Sequence, residues 1–160
     1  MRWAEAIPPS TPPDFKLRHY PHSGGCLCGA VRYEARGPLR EVIYCHCSQC
    51  RRQTGIYYAA TAVDRADLTV IAGADRLTWF AASAHARRGF CGTCGSALFW
   101  RPEAGTHVAI LAGSLDDPSD LVAREHICTD GRPLWYALAD GLPQFPHAAP
   151  GVVIAGQTDR

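Results

Sequence analysis

From residue 30 onward the chain alternates apolar and polar side chains with a period of two. Val31, Tyr33 and Ala35 fall on one face, with Arg32 and Glu34 between them. Residues 41–44, 56–63, 68–71 and 77–80 continue as β-branched and aromatic runs, with Asp64-Arg65 and Ala72-Gly73-Ala74-Asp75 as separators. Residues 87–90, 97–100 and 106–112 read the same way. Short strands at short intervals predict a mainly β domain. Helix is scarce. Ser48 can cap a single turn over residues 50–53, stopped by Gly55, and residues 117–121 offer a second turn. Residues 135–146 carry Gly141, Pro143 and Pro146 and predict irregular chain. The apolar run Val152-Val153-Ile154 is a candidate edge strand or a contact between copies of the chain.

Composition adds boundaries to this pattern. Residues 1–22 contain Pro8-Pro9-Ser10-Thr11-Pro12-Pro13 and read as an extended leader. The domain spans residues 23–146, opening on the turn signal Ser23-Gly24-Gly25, and residues 147–160 form a tail. With 47% apolar and 19% charged residues the chain has the composition of an ordinary globular protein of one domain. Its net charge of +1 gives no electrostatic reason to bind nucleic acid. No apolar run is long enough to span a bilayer, and the N-terminus lacks the apolar stretch of an export signal, so the expected location is the cytoplasm.

That location decides how the cysteines read. In a reducing compartment clustered thiols point to metal rather than to disulfides. Seven of the eight cysteines are clustered: Cys26-Leu27-Cys28, Cys45-His46-Cys47-Ser48-Gln49-Cys50, and Cys91-Gly92-Thr93-Cys94. Two pairs can meet and close a tetrahedral zinc site, whereas three thiolates leave a position open. The arithmetic suggests one structural and one catalytic zinc. On an extended segment Cys45 and Cys47 point together and His46 points away. The open position would belong to water or a substrate thiol, or to a residue such as His107 or His126 that makes the site structural too. Arg51 and Arg52 follow at once and are candidate clamps for substrate carboxylates. Cys128 stands apart and reads as a buried core thiol.

The residues Gly25-Cys26-Leu27-Cys28-Gly29-Ala30-Val31-Arg32-Tyr33, Cys45-His46-Cys47-Ser48-Gln49-Cys50-Arg51-Arg52-Gln53-Thr54-Gly55 and Phe90-Cys91-Gly92-Thr93-Cys94-Gly95-Ser96 together resemble the glutathione-dependent formaldehyde-activating enzyme family, which includes centromere protein V. Ala112-Gly113-Ser114-Leu115-Asp116-Asp117-Pro118, Glu125-His126-Ile127 and Pro133-Leu134-Trp135 resemble its C-terminal half. The resemblance implies a β-tent fold of twisted antiparallel sheets. It implies a structural zinc on Cys26, Cys28, Cys91 and Cys94, and a catalytic zinc on Cys45, Cys47 and Cys50. The implied activity is that of a carbon–sulfur lyase joining formaldehyde to glutathione as S-hydroxymethylglutathione. The alternative from another class is a zinc-stabilised module that binds a protein or small thiol without turnover.

Overall fold

The computed structural model describes residues 21–152, which form ten strands, one α-helix and a few 3-10 turns. The strands are β1 (His22–Gly25), β2 (Arg32–Ala35), β3 (Val42–Cys45), β4 (Tyr58–Asp64), β5 (Leu68–Ala72), β6 (Leu77–Ala81), β7 (Ala86–Cys91), β8 (Ala97–Pro102), β9 (His107–Leu111) and β10 (Ala123–Ile127). The helix α1 is Ser48–Thr54. The fold is mainly β. A three-stranded sheet has the order β1-β2-β5, and a seven-stranded sheet has the order β10-β3-β4-β9-β8-β7-β6. Every pairing between these strands is antiparallel except one, since β10 runs parallel to β3.

Alternation along the central strands sorts side chains onto the two faces of the large sheet. Val63 of β4 and Val108 and Ile110 of β9 face the small sheet. There they pack with Leu98, Phe99, Val31, Tyr33 and Ala35. Tyr33 meets Phe99 edge to face at 5.0 Å, and its hydroxyl bonds Ser114 Oγ at 2.7 Å. Each such aromatic or aliphatic side chain contributes roughly 1.5–3 kcal/mol when fully buried. Tyr58, Ala60 and Ala62 of β4 and Ala109 of β9 point to the opposite face. With Ile43, Cys45, Trp100 and Ile127 they form a second core, covered by Phe145, Ala149 and Val152. Arg32 and Asp116 form an ion pair that ties β2 to the chain after β9.

Several sequence expectations change at this level. Ser23-Gly24-Gly25 is part of strand β1 rather than a turn, because Gly24 and Gly25 pair with Tyr33 and Arg32. The helix cap is Cys47, whose Sγ accepts from the Cys50 N–H, rather than Ser48; Gly55 ends the helix as expected, with φ of 85°. Residues 117–121 form a turn as expected, closed by the Leu121 N–H on Pro118 O, with Asp117 Oδ1 accepting from the Ser119 N–H. Strand β10 was not expected from pattern, being the charged run Ala-Arg-Glu-His-Ile. Its outer edge is covered by residues 143–145 through His126 N–H to Pro143 O and Phe145 N–H to His126 O. Residues 135–146 are irregular apart from a single bridge at Gln144. Val152 packs on the second core, while the rest of the expected tail strand, and the Pro-rich run of the leader, lie outside the described residues. Among the described residues no helix is long and apolar enough to cross a membrane.

Candidate metal centres

The first centre is assembled from two loops of the same construction. Cys26 N–H bonds Val31 O and Gly29 N–H bonds Cys26 O; likewise Cys91 N–H bonds Ser96 O and Gly95 N–H bonds Cys91 O. Gly29 and Gly95, each following the second cysteine of its loop, both have φ of +77°, a conformation that costs a side-chain-bearing residue energy. One loop follows β1 of the small sheet and the other joins β7 to β8 of the large one. They bring the four Sγ atoms of Cys26, Cys28, Cys91 and Cys94 within 4.8 Å of one another. Sulfurs around a tetrahedral zinc stand about 3.8 Å apart, so this group fits such an ion. The Val31 N–H donates to Cys26 Sγ at 3.2 Å. Ser96 holds the Cys94 thiol down to about 5, through its hydroxyl first and its N–H second.

The second centre lies where β3 runs into α1. Cys45 ends the strand, Cys47 caps the helix, and Cys50 sits on the helix's buried side. Their Sγ atoms also lie within 4.8 Å of one another, and all three residues are buried. Hydrogen bonds from Cys45 and Cys50 draw the Cys47 thiol far below its ordinary range. Contact with Cys128, then with Cys47 and Cys50, pushes Cys45 up. Cys50 is lowered by Cys45, but its contact with Cys47 and burial outweigh this and leave it at about 12. Three thiolates this close together in a buried site repel one another. Full ionisation calls for a cation, and a thiophilic one such as zinc fits the donor set.

His46 turns away from the cluster, as alternation requires. Its Nε2 meets His126 Nδ1 at 2.8 Å, and His126 Nε2 meets Asp140 Oδ2 at 2.8 Å. Burial raises the Asp140 carboxyl, but the hydrogen bonds from His126 and from the Leu142 N–H together outweigh it and hold the group below its ordinary value. Burial, then the neighbouring His126, lowers His46 to about 4, so its ring is neutral near pH 7. Both ring nitrogens of His126 are taken up, Nε2 against the Asp140 carboxylate and Nδ1 against His46. Among the candidates for a fourth ligand, His126 is thus engaged elsewhere. His107 lines the neighbouring cavity and does not join the thiol group.

Two residues that sequence reasoning did not place belong to this centre. Arg88 of β7 is only 4% exposed. Its guanidinium donates to Cys50 Sγ at 3.4 Å and to Gln53 Oε1 at 2.7 Å, and lies 5.6 Å from the Tyr58 ring centre. Burial works against its charge, but the Cys50 side outweighs burial and raises the guanidinium above its ordinary value. A buried arginine leaves no mark in a strand pattern. Cys128 is buried as expected but is more than packing. It takes a left-handed backbone (φ 56°) just after β10 and its thiol reaches Cys45. Arg51 and Arg52 lie on α1 beyond Cys50. Arg51 is half-buried, Arg52 is exposed, and neither lines the cavity described next.

Beside the triplet is a cavity of about 570 Å³. Cys45 and Cys50 form part of its wall, together with Tyr58, Trp100, Ile43 and Ile127. Ala60, Ala62 and Ala109 face it from the sheet, and their small side chains leave the space.

Fold and centres define a class: a mainly β protein with two cysteine clusters that could hold metal ions. A family model described as "Glutathione-dependent formaldehyde-activating enzyme" matches residues 21–131. The chain is 32% identical over 123 residues to a "Putative glutathione-dependent formaldehyde-activating enzyme" of Halomonas elongata, covering 70% of this chain and 77% of that one. The crystal structure of a Rhodobacter sphaeroides protein is similar at a TM-score of 0.54 and 27% identity, over 77% of this chain and 98% of that one. The chain belongs to the glutathione-dependent formaldehyde-activating enzyme family.

Proposed function

We propose that the protein is a zinc-dependent carbon–sulfur lyase acting on S-hydroxymethylglutathione, the adduct of glutathione and formaldehyde. Cys26, Cys28, Cys91 and Cys94 would hold a structural zinc, and Cys45, Cys47 and Cys50 a catalytic one. The observation that carries this reading is that Cys45 and Cys50 belong both to the thiol cluster and to the wall of a cavity. An ion held there supplies a thiophilic Lewis acid that favours thiolate over thiol near neutral pH. The chain's own residues do the rest. The Arg88 guanidinium offsets the surplus negative charge of three thiolates. The apolar wall keeps water from the reacting sulfur. In the addition direction the glutathione sulfur bonds the carbonyl carbon, the carbon–oxygen π pair moves to oxygen, and oxygen takes the proton the thiol gave up. Arg51 and Arg52 are proposed to attract the carboxylates of the peptide.

Cys128 favours a second reading. If its thiol joins the other three as a fourth ligand, the centre is closed, and the protein is a zinc-stapled binding module. Zinc-edge X-ray absorption separates the two. An open centre averages about 3.5 sulfurs per zinc over both sites and rises to about 4 with glutathione. A closed centre gives about 4 from the outset, unchanged by glutathione, and falls to about 3.5 in Cys128→Ala. Calorimetry in two buffers should show proton release as glutathione binds the open centre. Replacing both Arg51 and Arg52 by Ala should weaken that binding several-fold and flatten its salt dependence.

A further inference from the structure

The four-thiol group is built unevenly. Cys26 and Cys91 are buried, at 8% and 0% exposure, whereas Cys28 and Cys94 are exposed. Each loop thus gives one thiol to the interior and one to the surface. The two surface thiols meet across the loops, since the Cys28 N–H donates to Cys94 Sγ. Beside them the Leu27 N–H donates to Ser96 Oγ at 3.0 Å, and that oxygen lies 3.2 Å from Cys94 Sγ. These bonds, made by protein atoms alone, join the loop after β1 to the loop between β7 and β8.

Exposure decides which thiols an oxidant dissolved in water can reach. Cys28 and Cys94 are open to it, and Cys26 and Cys91 are shielded. The bonds that could then form differ in consequence. One between Cys26 and Cys28, or between Cys91 and Cys94, would tie a loop to itself and leave the two sheets unlinked. Closing the second would also have to draw Cys91 out of a turn held by its N–H on Ser96 O and by the Gly95 N–H on Cys91 O. A bond between Cys28 and Cys94 uses two surface thiols whose Sγ atoms already lie within 4.8 Å of each other. It runs from the loop of the small sheet to the loop of the large one, as an ion shared by the four thiols would. A covalent link between residues so distant in sequence restricts the unfolded chain, and so favours the folded one.

We propose that Cys28 and Cys94 are an oxidation site for hydroperoxides, and that the disulfide they form keeps the two loops joined once the ion of the four-thiol centre is gone. The inference goes beyond the glutathione reading of the triplet and rests only on the proposal that the four thiols hold an ion. In the first step the Cys94 thiolate attacks the hydroperoxide. A sulfur–oxygen bond forms, the oxygen–oxygen bond breaks, and the alkoxide or hydroxide released takes a proton. The Cys28 thiolate then attacks the Cys94 sulfur. A sulfur–sulfur bond forms, and the oxygen leaves as hydroxide and is protonated to water. Two electrons pass from the two sulfurs to the peroxide. Only Cys26 and Cys91 remain as thiolates, half of a tetrahedral ligand set, so the centre releases its ion. A thiol reductant reverses the bond.

Hydrogen peroxide in small excess is the probe, added to zinc-loaded, full-length protein. The remaining thiols are then blocked with N-ethylmaleimide under denaturing conditions and the chain is cut with trypsin. Residues 19–32 should be found joined to residues 89–124 through Cys28 and Cys94, with Cys26 and Cys91 carrying the label. Residues 41–51, which hold the triplet thiols, should stay fully labelled. Far-ultraviolet circular dichroism reads the second half of the proposal. Oxidised protein given a chelator should lose its zinc and keep the β signal, whereas unoxidised protein should lose both. Dithiothreitol added to the oxidised, chelated protein should then abolish the β signal. A bond within one loop, earlier oxidation of residues 45–50, or no bond at all overturns the proposal. So does loss of the β signal while the cross-link is intact. Zinc release followed by native mass spectrometry keeps the two ideas apart. A mapped Cys28–Cys94 bond formed with no zinc released refutes the metal reading and keeps the oxidation site; zinc released with the bond formed elsewhere does the reverse.

Discussion

At the scale of single residues, Arg88 is the side chain that most changes the picture of the triplet. Three thiolates around a divalent ion leave one surplus negative charge, and the only guanidinium bonded to any of the three sulfurs among the described residues is Arg88, on Cys50. Partners outside the ligand set typically change metal affinity by about 10–100-fold when removed. Arg88→Met should therefore lose the ion of the triplet to a chelator about 10-fold more readily and keep the four-thiol ion, as read by competition with a coloured chelator. An unchanged affinity would mean that Gln53 and solvent suffice to balance the charge. Nothing in the sequence singled Arg88 out, since Arg87-Arg88 looks like any charged pair on a strand. By contrast the two thiol clusters were legible as groups that could hold metal, because ligand spacing in a loop is set by local geometry. Cys128 was legible as a buried thiol but not as a neighbour of Cys45, because that contact depends on pairing between distant strands.

At the scale of elements, alternation located most strands. It worked for β2, where Tyr33 and Ala35 are fully buried, because one face of that strand is apolar throughout. It failed for β10, whose buried residues include Glu125 and His126. These two are satisfied by Arg124 and by His46 with Asp140, partners that no period reveals. It failed for β1 because His-Ser-Gly-Gly has no apolar side chains to alternate. The loops of the first centre make a prediction at this scale. They join the small sheet to the β7–β8 hairpin, so Cys91→Ser should unfold the domain or leave it insoluble. Cys47→Ser, which disturbs one strand end and one helix cap, should leave a folded protein with its melting temperature lowered far less. Equal destabilisation in thermal melts would contradict this division.

At the scale of the whole molecule, two sheets enclose one core and the second core lies under residues 145–152. Structural zinc can contribute roughly 10 kcal/mol to a small domain, comparable to its net stability. Gradual chelation should thus proceed in two stages. Loss of the first ion, from the triplet, should leave the far-ultraviolet circular dichroism of the sheets intact. Loss of the second should coincide with unfolding. Simultaneous loss of both ions and the β signal would show that the triplet is as structural as the four-thiol centre.

Strand β7 carries Arg88 and, three residues on, Cys91. One touches the triplet and the other belongs to the four-thiol group. The shared strand should give a newly made chain a preferred order in which to fill the two centres. An ion on Cys91 would add to what the pairing of β7 with β6 and β8 and the Gln53 bond already do to hold the guanidinium against Cys50, and so steady the countercharge of the triplet. When zinc is scarce, the ions should go to the four-thiol centre of every chain before any triplet fills. On the proposed function, a population short of metal would then be folded and poorly active, with activity rising as supply passes the first equivalent. If the triplet ion is the catalytic one, as proposed, the strand makes maturation a sequence and activity a readout of surplus zinc.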